Sequence, residues 1–280
     1  MWRVEDGKEM ATMEANGVRC LVVSKDDRWI AAGTSEGDVL VWNAKTYKKI
    51  FSQREEKRRD RDYNAINGVD FSPDSTRLVS ASWNGTASIW DIATGKRVQT
   101  LQHVDWVTAA KYSPQGDRIA TAIHNSVRVW DSNDGRLLVK TTVGYSLTNT
   151  CLWSNNHLFV ASGDKIEQFD ASTGSVVFEW SVAETTHSSC IALPKHGEFI
   201  AYSTTSTVTF CDTATHTQRG LIQHHQDIRS IAFSPDDRFL AIVGEDGKIT
   251  IHSLFPIVVS ILFHWIVVHL NNFLAPIILP

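Results

Sequence analysis

The residues able to do covalent or metal chemistry are present but not arranged for it. There is no Gly-x-Ser-x-Gly elbow, phosphate-binding loop, Gly-x-Gly-x-x-Gly turn or His-Glu-x-x-His motif. Eleven histidines are scattered, and His224–His225 is the one adjacent pair. That pair reads as a structural histidine with a neighbour rather than as a metal site. Cys20, Cys151, Cys190 and Cys211 form no Cys-x-x-Cys, so zinc-site and redox readings have little support, and buried free thiols in a reducing compartment are expected. The carboxylate pairs Asp26–Asp27 and Asp236–Asp237 lie in polar turns. A turn that satisfies its own backbone explains them better than acid–base work does. No catalytic site, cofactor or metal is expected.

Composition points the same way. The chain has 280 residues, a formal charge of −4, 42% hydrophobic and 21% charged residues. These values are ordinary for a globular protein and exclude collagen-like, disordered and disulfide-dense classes. A nucleic-acid partner is not expected, because such domains are usually basic. Residues 1–15 are polar and charged, so no signal peptide is read there. The run Arg54–Asp62 alternates in sign and nets +1, which suits a solvated or partner-contacting loop.

The elements that would position any site repeat at a period near 40. Trp2, Trp42, Trp90 and Trp130 end short alternating runs such as DVLVWN, TASIWD and SVRVWD. The phase continues with Phe169, Cys211 and His252 in the tryptophan slot. About 19 residues before the markers run VDFSPD, AKYSPQ and IAFSPD, with weaker copies elsewhere. Gly turns follow the markers, as in DIATGK, DSNDGR and DASTGS. Between these landmarks the residues alternate and are rich in Val, Ile, Thr, Phe and Trp. That is strand patterning with turns every 8–12 residues.

Six phased copies of this pattern resemble the WD-repeat β-propeller family, over about residues 1–254. The resemblance implies an all-β propeller of four-stranded blades, strands a to d. The a–b–c sets fall at roughly 18–42, 65–90, 106–130, 147–169, 188–211 and 228–252, which makes about six blades. The length, seven times 40, leaves an incomplete seven-bladed ring as the alternative. The family's buried tetrad of His, Ser/Thr, Asp and Trp would use His103, Thr121, Asn125 and Trp130 in the third blade. His224 stands in the same register, while Glu14, Asp62 and Gly144 stand near the histidine position elsewhere.

Two ends are read separately. Residues 2–13 are expected as an outer strand of an earlier repeat, either closing the last blade or following blades the chain lacks. Residues 255–280 form a hydrophobic tail without Lys, Arg, Asp or Glu. The tail reads as a membrane anchor, as a non-native end replacing a last blade, or as divergent strands of a closing blade.

The resemblance implies a non-catalytic scaffold that binds proteins or peptides on the propeller's top face, in cytoplasm or nucleus. The alternatives are a scaffold tethered to a membrane through residues 255–279, and a fragment of a larger signalling protein. The family's contact positions map to Arg19, Asn67, Thr108, Asn149, Ser189 and Arg229 on strand a. Before the b–c turn they map to Ser35, Trp83, His124 and Glu245. Trp83 is the best single hot spot, because an exposed Trp beside a polar turn suits one. Arg19 and Arg229 become neighbours if six blades close, and could then grip an acidic or phosphorylated peptide.

Overall fold

The computed structural model describes residues 8–56, 63–143, 150–162, 165–182, 190–194, 197–254 and 267–269. Among them are six sheets, each of four antiparallel strands in meander order. Blade 1 is β1 (Val18–Val23), β2 (Trp29–Thr34), β3 (Asp38–Asn43) and β4 (Lys49–Arg54). Blade 2 is β5 (Ile66–Phe71), β6 (Arg77–Ser82), β7 (Thr86–Asp91) and β8 (Arg97–Gln102). Blade 3 is β9 (Val107–Tyr112), β10 (Arg118–Ile123), β11 (Ser126–Asp131) and β12 (Leu137–Thr142). Blade 4 is β13 (Thr150–Ser154), β14 (His157–Ser162), β15 (Lys165–Asp170) and β16 (Val176–Ser181). Blade 5 is β17 (Ile191–Ala192), β18 (Phe199–Ser203), β19 (Thr207–Asp212) and β20 (Gln218–Gln223). Blade 6 is β21 (Ile228–Phe233), β22 (Phe239–Gly244), β23 (Lys248–Ser253) and β24 (Val267–His269). No helix of the described residues is long and apolar enough to cross a membrane.

The turns explain why the period is so regular. In the a–b turns of blades 1, 2, 3 and 6 a serine and an aspartate close the chain on itself. Ser72 Oγ donates to Asp74 at 2.6 Å and accepts from the Arg77 N–H at 2.9 Å. Ser24–Asp26 and Ser234–Asp236 repeat that bond. In the c–d turns of blades 1 to 5 the residue after the marker, Asn43 in blade 1 and an aspartate in the others, accepts from backbone N–H groups two or three residues on, as Asp91 does from Thr94 at 2.8 Å. The residue four past it needs a left-handed backbone, which glycine adopts without penalty. It is Gly95, Gly135 and Gly174 in blades 2 to 4, but Tyr47 and His216 take that conformation in blades 1 and 5.

The core lies between blades rather than within them. Blades 1 and 2 bury Val39, Val41, Ile66, Phe71, Leu78 and Trp90 against one another. Blades 2 and 3 do so with Ile89, Leu101, Val107, Ile119 and Trp130. Each such side chain stabilises the fold by about 1.5–3 kcal/mol when fully buried. Inner strands pack in the order β1, β5, β9, β13, β17, β21, while β21 and β1 are not packed as consecutive ones are.

The expected a–b–c sets agree with the observed ones to within about three residues. The fourth strand of blade 6 is β24, whose Val267–His269 pair with Thr250, Ile249 and Lys248. The tail is otherwise outside the described residues, as is Trp2 in the leading segment.

Candidate functional site

Strand a of each blade begins opposite the end of strand b, as Val18 pairs with Thr34 and Ile66 with Ser82. The first residues of strands a and the b–c turns therefore share one rim. That is where Arg19, Asn67, Thr108 and Arg229 meet the turn residues Ser35, Trp83, His124 and Glu245. Asn149 and Ser189 lie outside the described residues.

The structure joins some of these and separates others. Arg19 Nε donates to Asn67 Oδ1 at 2.6 Å, and its guanidinium carbon sits 4.6 Å from the Trp83 ring centre. Trp83 also stacks on Trp106, with centroids 5.2 Å apart and planes 23° apart. Tyr63 meets both indoles edge-on at 6.4 Å. Tyr63 is 61% exposed, and Trp83 and Trp106 are half-buried. The Trp83 indole N–H is buried without a hydrogen-bond partner. Arg19 comes from blade 1, Trp83 and Tyr63 from blade 2 and its lead-in, and Trp106 from the lead-in to blade 3. The stack is thus held across three blades, which gives it the rigidity a docking centre needs.

The remaining contact positions behave differently. Thr108 is buried and donates to the Ala122 carbonyl at 3.1 Å, so it faces inward rather than toward a partner. Ser35, His124 and Glu245 are exposed. Arg229 pairs with Glu245 within blade 6. Arg19 and Arg229 each have their own partner, Asn67 and Glu245, and β21 and β1 are not packed as consecutive inner strands are.

The marker slots show what holds the blades. The Trp90 indole donates to Ser80 Oγ at 2.9 Å, and that of Trp130 donates to Thr121 Oγ1 at 2.8 Å. Strand register puts Ala32, Val160, Tyr202 and Ile242 at the equivalent b-strand positions of blades 1, 4, 5 and 6. Trp42 and Phe169 are buried in their slots, as is Cys211, while His252 is half-buried. His103 Nε2 meets Thr121 Oγ1 at 2.8 Å, and its Nδ1 meets the Leu101 carbonyl at 3.1 Å. Three of the four expected tetrad members are thereby joined. The His103 ring turns to the Leu101 carbonyl, and Asn125 uses its own carbonyl to accept from the Val143 N–H at 3.1 Å. Burial, with Arg128 nearby, pulls the His103 pKa down to about 4.

In blade 2 the histidine position belongs to Glu55, not Asp62. The N–H of Glu55 bonds the Gly37 carbonyl as that of His103 bonds the Gly85 carbonyl. Glu55 is 1% exposed, receives Ser80 Oγ at 3.4 Å and pairs with Arg97 at 3.1 Å. The charged run misled the count, because Glu55 precedes most of the inserted residues. Among the described residues no three His, Cys, Asp or Glu side chains are grouped to hold a metal ion.

Sequence reasoning missed Tyr63 and Trp106. Trp106 directly precedes strand β9 and Tyr63 closely precedes β5, so a search for aromatics in the strand-a lead-ins would have found both.

Six four-stranded meanders around successive inner strands, with indole–hydroxyl pairs inside the blades, define a WD-repeat β-propeller. Residues 216–253 match the family described as WD domain, G-beta repeat. Residues 4–171 match the family described as Nucleolar protein 10-like, N-terminal domain, and the chain belongs to that family of propellers. Relatives include guanine nucleotide-binding protein subunit beta-1 of Nicotiana tabacum, 26% identical over 205 residues, covering 65% of this chain and 54% of the relative. The periodic tryptophan protein 2 homolog of Dictyostelium discoideum is 24% identical over 251 residues, covering 87% of this chain and 22% of the relative. An F-box/WD-40 repeat-containing protein of Arabidopsis thaliana is 26% identical over 136 residues, covering 47% of this chain and 25% of the relative. The chain thus spans about half, or less, of the length of these relatives. A chain in the crystal structure of the mitotic checkpoint complex shares the fold, with a TM-score of 0.79 and 18% identity over 90% of this chain and 80% of that one.

Proposed function

We propose that this propeller is a non-catalytic platform that binds protein partners on the rim carrying Arg19, Trp83, Trp106 and Tyr63. The observation that carries this reading is the aromatic stack itself. Large half-exposed aromatics flanked by an arginine are the composition of binding hot spots. A monomer gains little by leaving Tyr63 61% exposed at such a place. WD-repeat propellers generally act as protein-interaction scaffolds, which supports the same reading. The family's own description supports a nucleolar site of action.

A photo-crosslinking residue at Tyr63, compared with one at the opposite rim at Thr94, tests the platform in cells. Adducts with other proteins are expected from position 63 and not from 94. Equal adduct yield from both would refute the assignment of the rim. A fluorescent fusion expressed at native level tests the location, with nucleolar enrichment expected and exclusion from the nucleus refuting it.

A further inference from the structure

We infer that the rim stack takes a peptide that presents a carboxylate beside an apolar or aromatic side chain, the carboxylate to Arg19 and the apolar group to Trp106 and Tyr63. The inference rests on the platform reading above and adds the chemistry of what docks there. Its first support is charge. Among the described residues of this rim, Arg54 is answered by Asp38 at 2.7 Å, Lys248 by Asp246 at 3.2 Å, and Arg229 by Glu245. Arg19 meets no carboxylate among the described residues. Its bond goes to the neutral amide of Asn67, and its ring contact is with Trp83.

The second support is geometry. Stacking on Trp83 and the Nε bond to Asn67 fix the guanidinium plane. The two terminal nitrogens remain for a ligand, in the fork that matches a carboxylate. Because the side chain is already ordered, binding costs little of its rotamer entropy. Trp83 itself is taken up by neighbours from blades 1 and 3. The apolar contact therefore falls to the outer members, Trp106 and Tyr63, with Val104, two residues before Trp106 in the same lead-in, 77% exposed.

The choice of anion follows the pattern of the described rim: Arg54 and Arg229 are each met by a carboxylate, and one guanidinium fork matches one carboxylate.

The test uses fluorescein-labelled Gly/Ser peptides carrying Asp and Phe in either order, separated by zero to three residues. Counterparts replace Asp with Asn, with phosphoserine or with Lys. The full chain is titrated by fluorescence anisotropy. At least one Asp/Phe spacing is expected to bind about tenfold or more tighter than its Asn counterpart, as a charge-assisted bond implies. Arg19→Gln should bring that ratio close to one, and Trp106→Ala should weaken every peptide. The acid-to-amide ratio does not depend on how much of a variant is folded. Tightest binding by the phosphoserine or Lys peptide, an unchanged ratio in Arg19→Gln, or no binding by any Asp/Phe peptide overturns the inference. Binding that falls in Trp106→Ala yet ignores the acid overturns it too, while leaving the platform reading in place.

Discussion

Glu55 and Arg97 differ in what they can do when left alone, and that difference is measurable. Glu55 is 1% exposed, whereas the Arg97 side chain is 37% exposed. Removing Arg97 strands a carboxylate that cannot reach water. Among the described residues its other side-chain partner is Ser80, at 3.4 Å. Breaking a buried pair from one side costs about 3–5 kcal/mol, and the partial exposure of Arg97 lowers this to about 2. Arg97→Met also removes the guanidinium lying 5.8 Å from the Trp90 ring. That contact adds about 0.5 kcal/mol at a partly exposed site. Glu55→Gln keeps a polar group for Ser80 and leaves Arg97 free to turn to solvent, so about 0.5–1 kcal/mol is expected. The decisive variant combines both changes. With no stranded charge, Glu55→Gln/Arg97→Met should be more stable than Arg97→Met alone. Urea unfolding followed by tryptophan fluorescence reads the series. With a slope of about 3 kcal/mol per M, Arg97→Met should lower the midpoint by roughly 0.8 M. The reasoning fails if Glu55→Gln costs as much as Arg97→Met, or if the double variant is the weakest of the three.

His103 makes stability depend on pH in a defined window. Its folded pKa is depressed from 6.5 to about 4, so the unfolded chain takes the proton first as pH falls. The contribution is present above pH 6.5 and is lost between there and about 4, up to about 3 kcal/mol. His103→Gln should flatten that slope, and an equal slope in both proteins would sink the assignment. Cys151 is fully buried, and burial pushes its thiol up to about 12. It should resist a thiol reagent at pH 8 until urea exposes it, and fast labelling of the native protein at this residue would contradict that.

The blades were legible because their signals are local. A serine and an aspartate close the a–b turns of blades 1, 2, 3 and 6, and an aspartate with a left-handed residue four on closes the c–d turns of blades 2 to 5. At least one of these turns stands near each marker, so the phase survives when the marker becomes Phe169, Cys211 or His252. The site was legible only where it is local too. Arg19, Asn67 and Trp83 follow from strand register within blades 1 and 2. Tyr63 and Trp106 join them across three blades, and no short-range pattern reports that meeting. Glu55 was missed for a related reason. Its position is defined by the Gly37 carbonyl it bonds, whereas counting back from β5 across an inserted charged run leads to Asp62.

The marker slots also show a rule that single motifs hide. Blades 2 and 3 have both an indole and a hydroxyl, Trp90 with Ser80 and Trp130 with Thr121. Blade 4 has neither, with Phe169 in the slot and register placing Val160 opposite. A buried indole N–H without an acceptor is costly, and so is a buried hydroxyl without a donor. The two residues therefore have reason to change together. Blade 1 breaks the rule by keeping Trp42 where register leaves Ala32 opposite. Blades 2 and 3, the two with complete indole–hydroxyl pairs, are also the ones that supply Trp83, Tyr63 and Trp106. The docking stack thus stands on the two blades whose marker indoles are hydrogen-bonded to a hydroxyl on the neighbouring strand, a fixed frame for a rigid site.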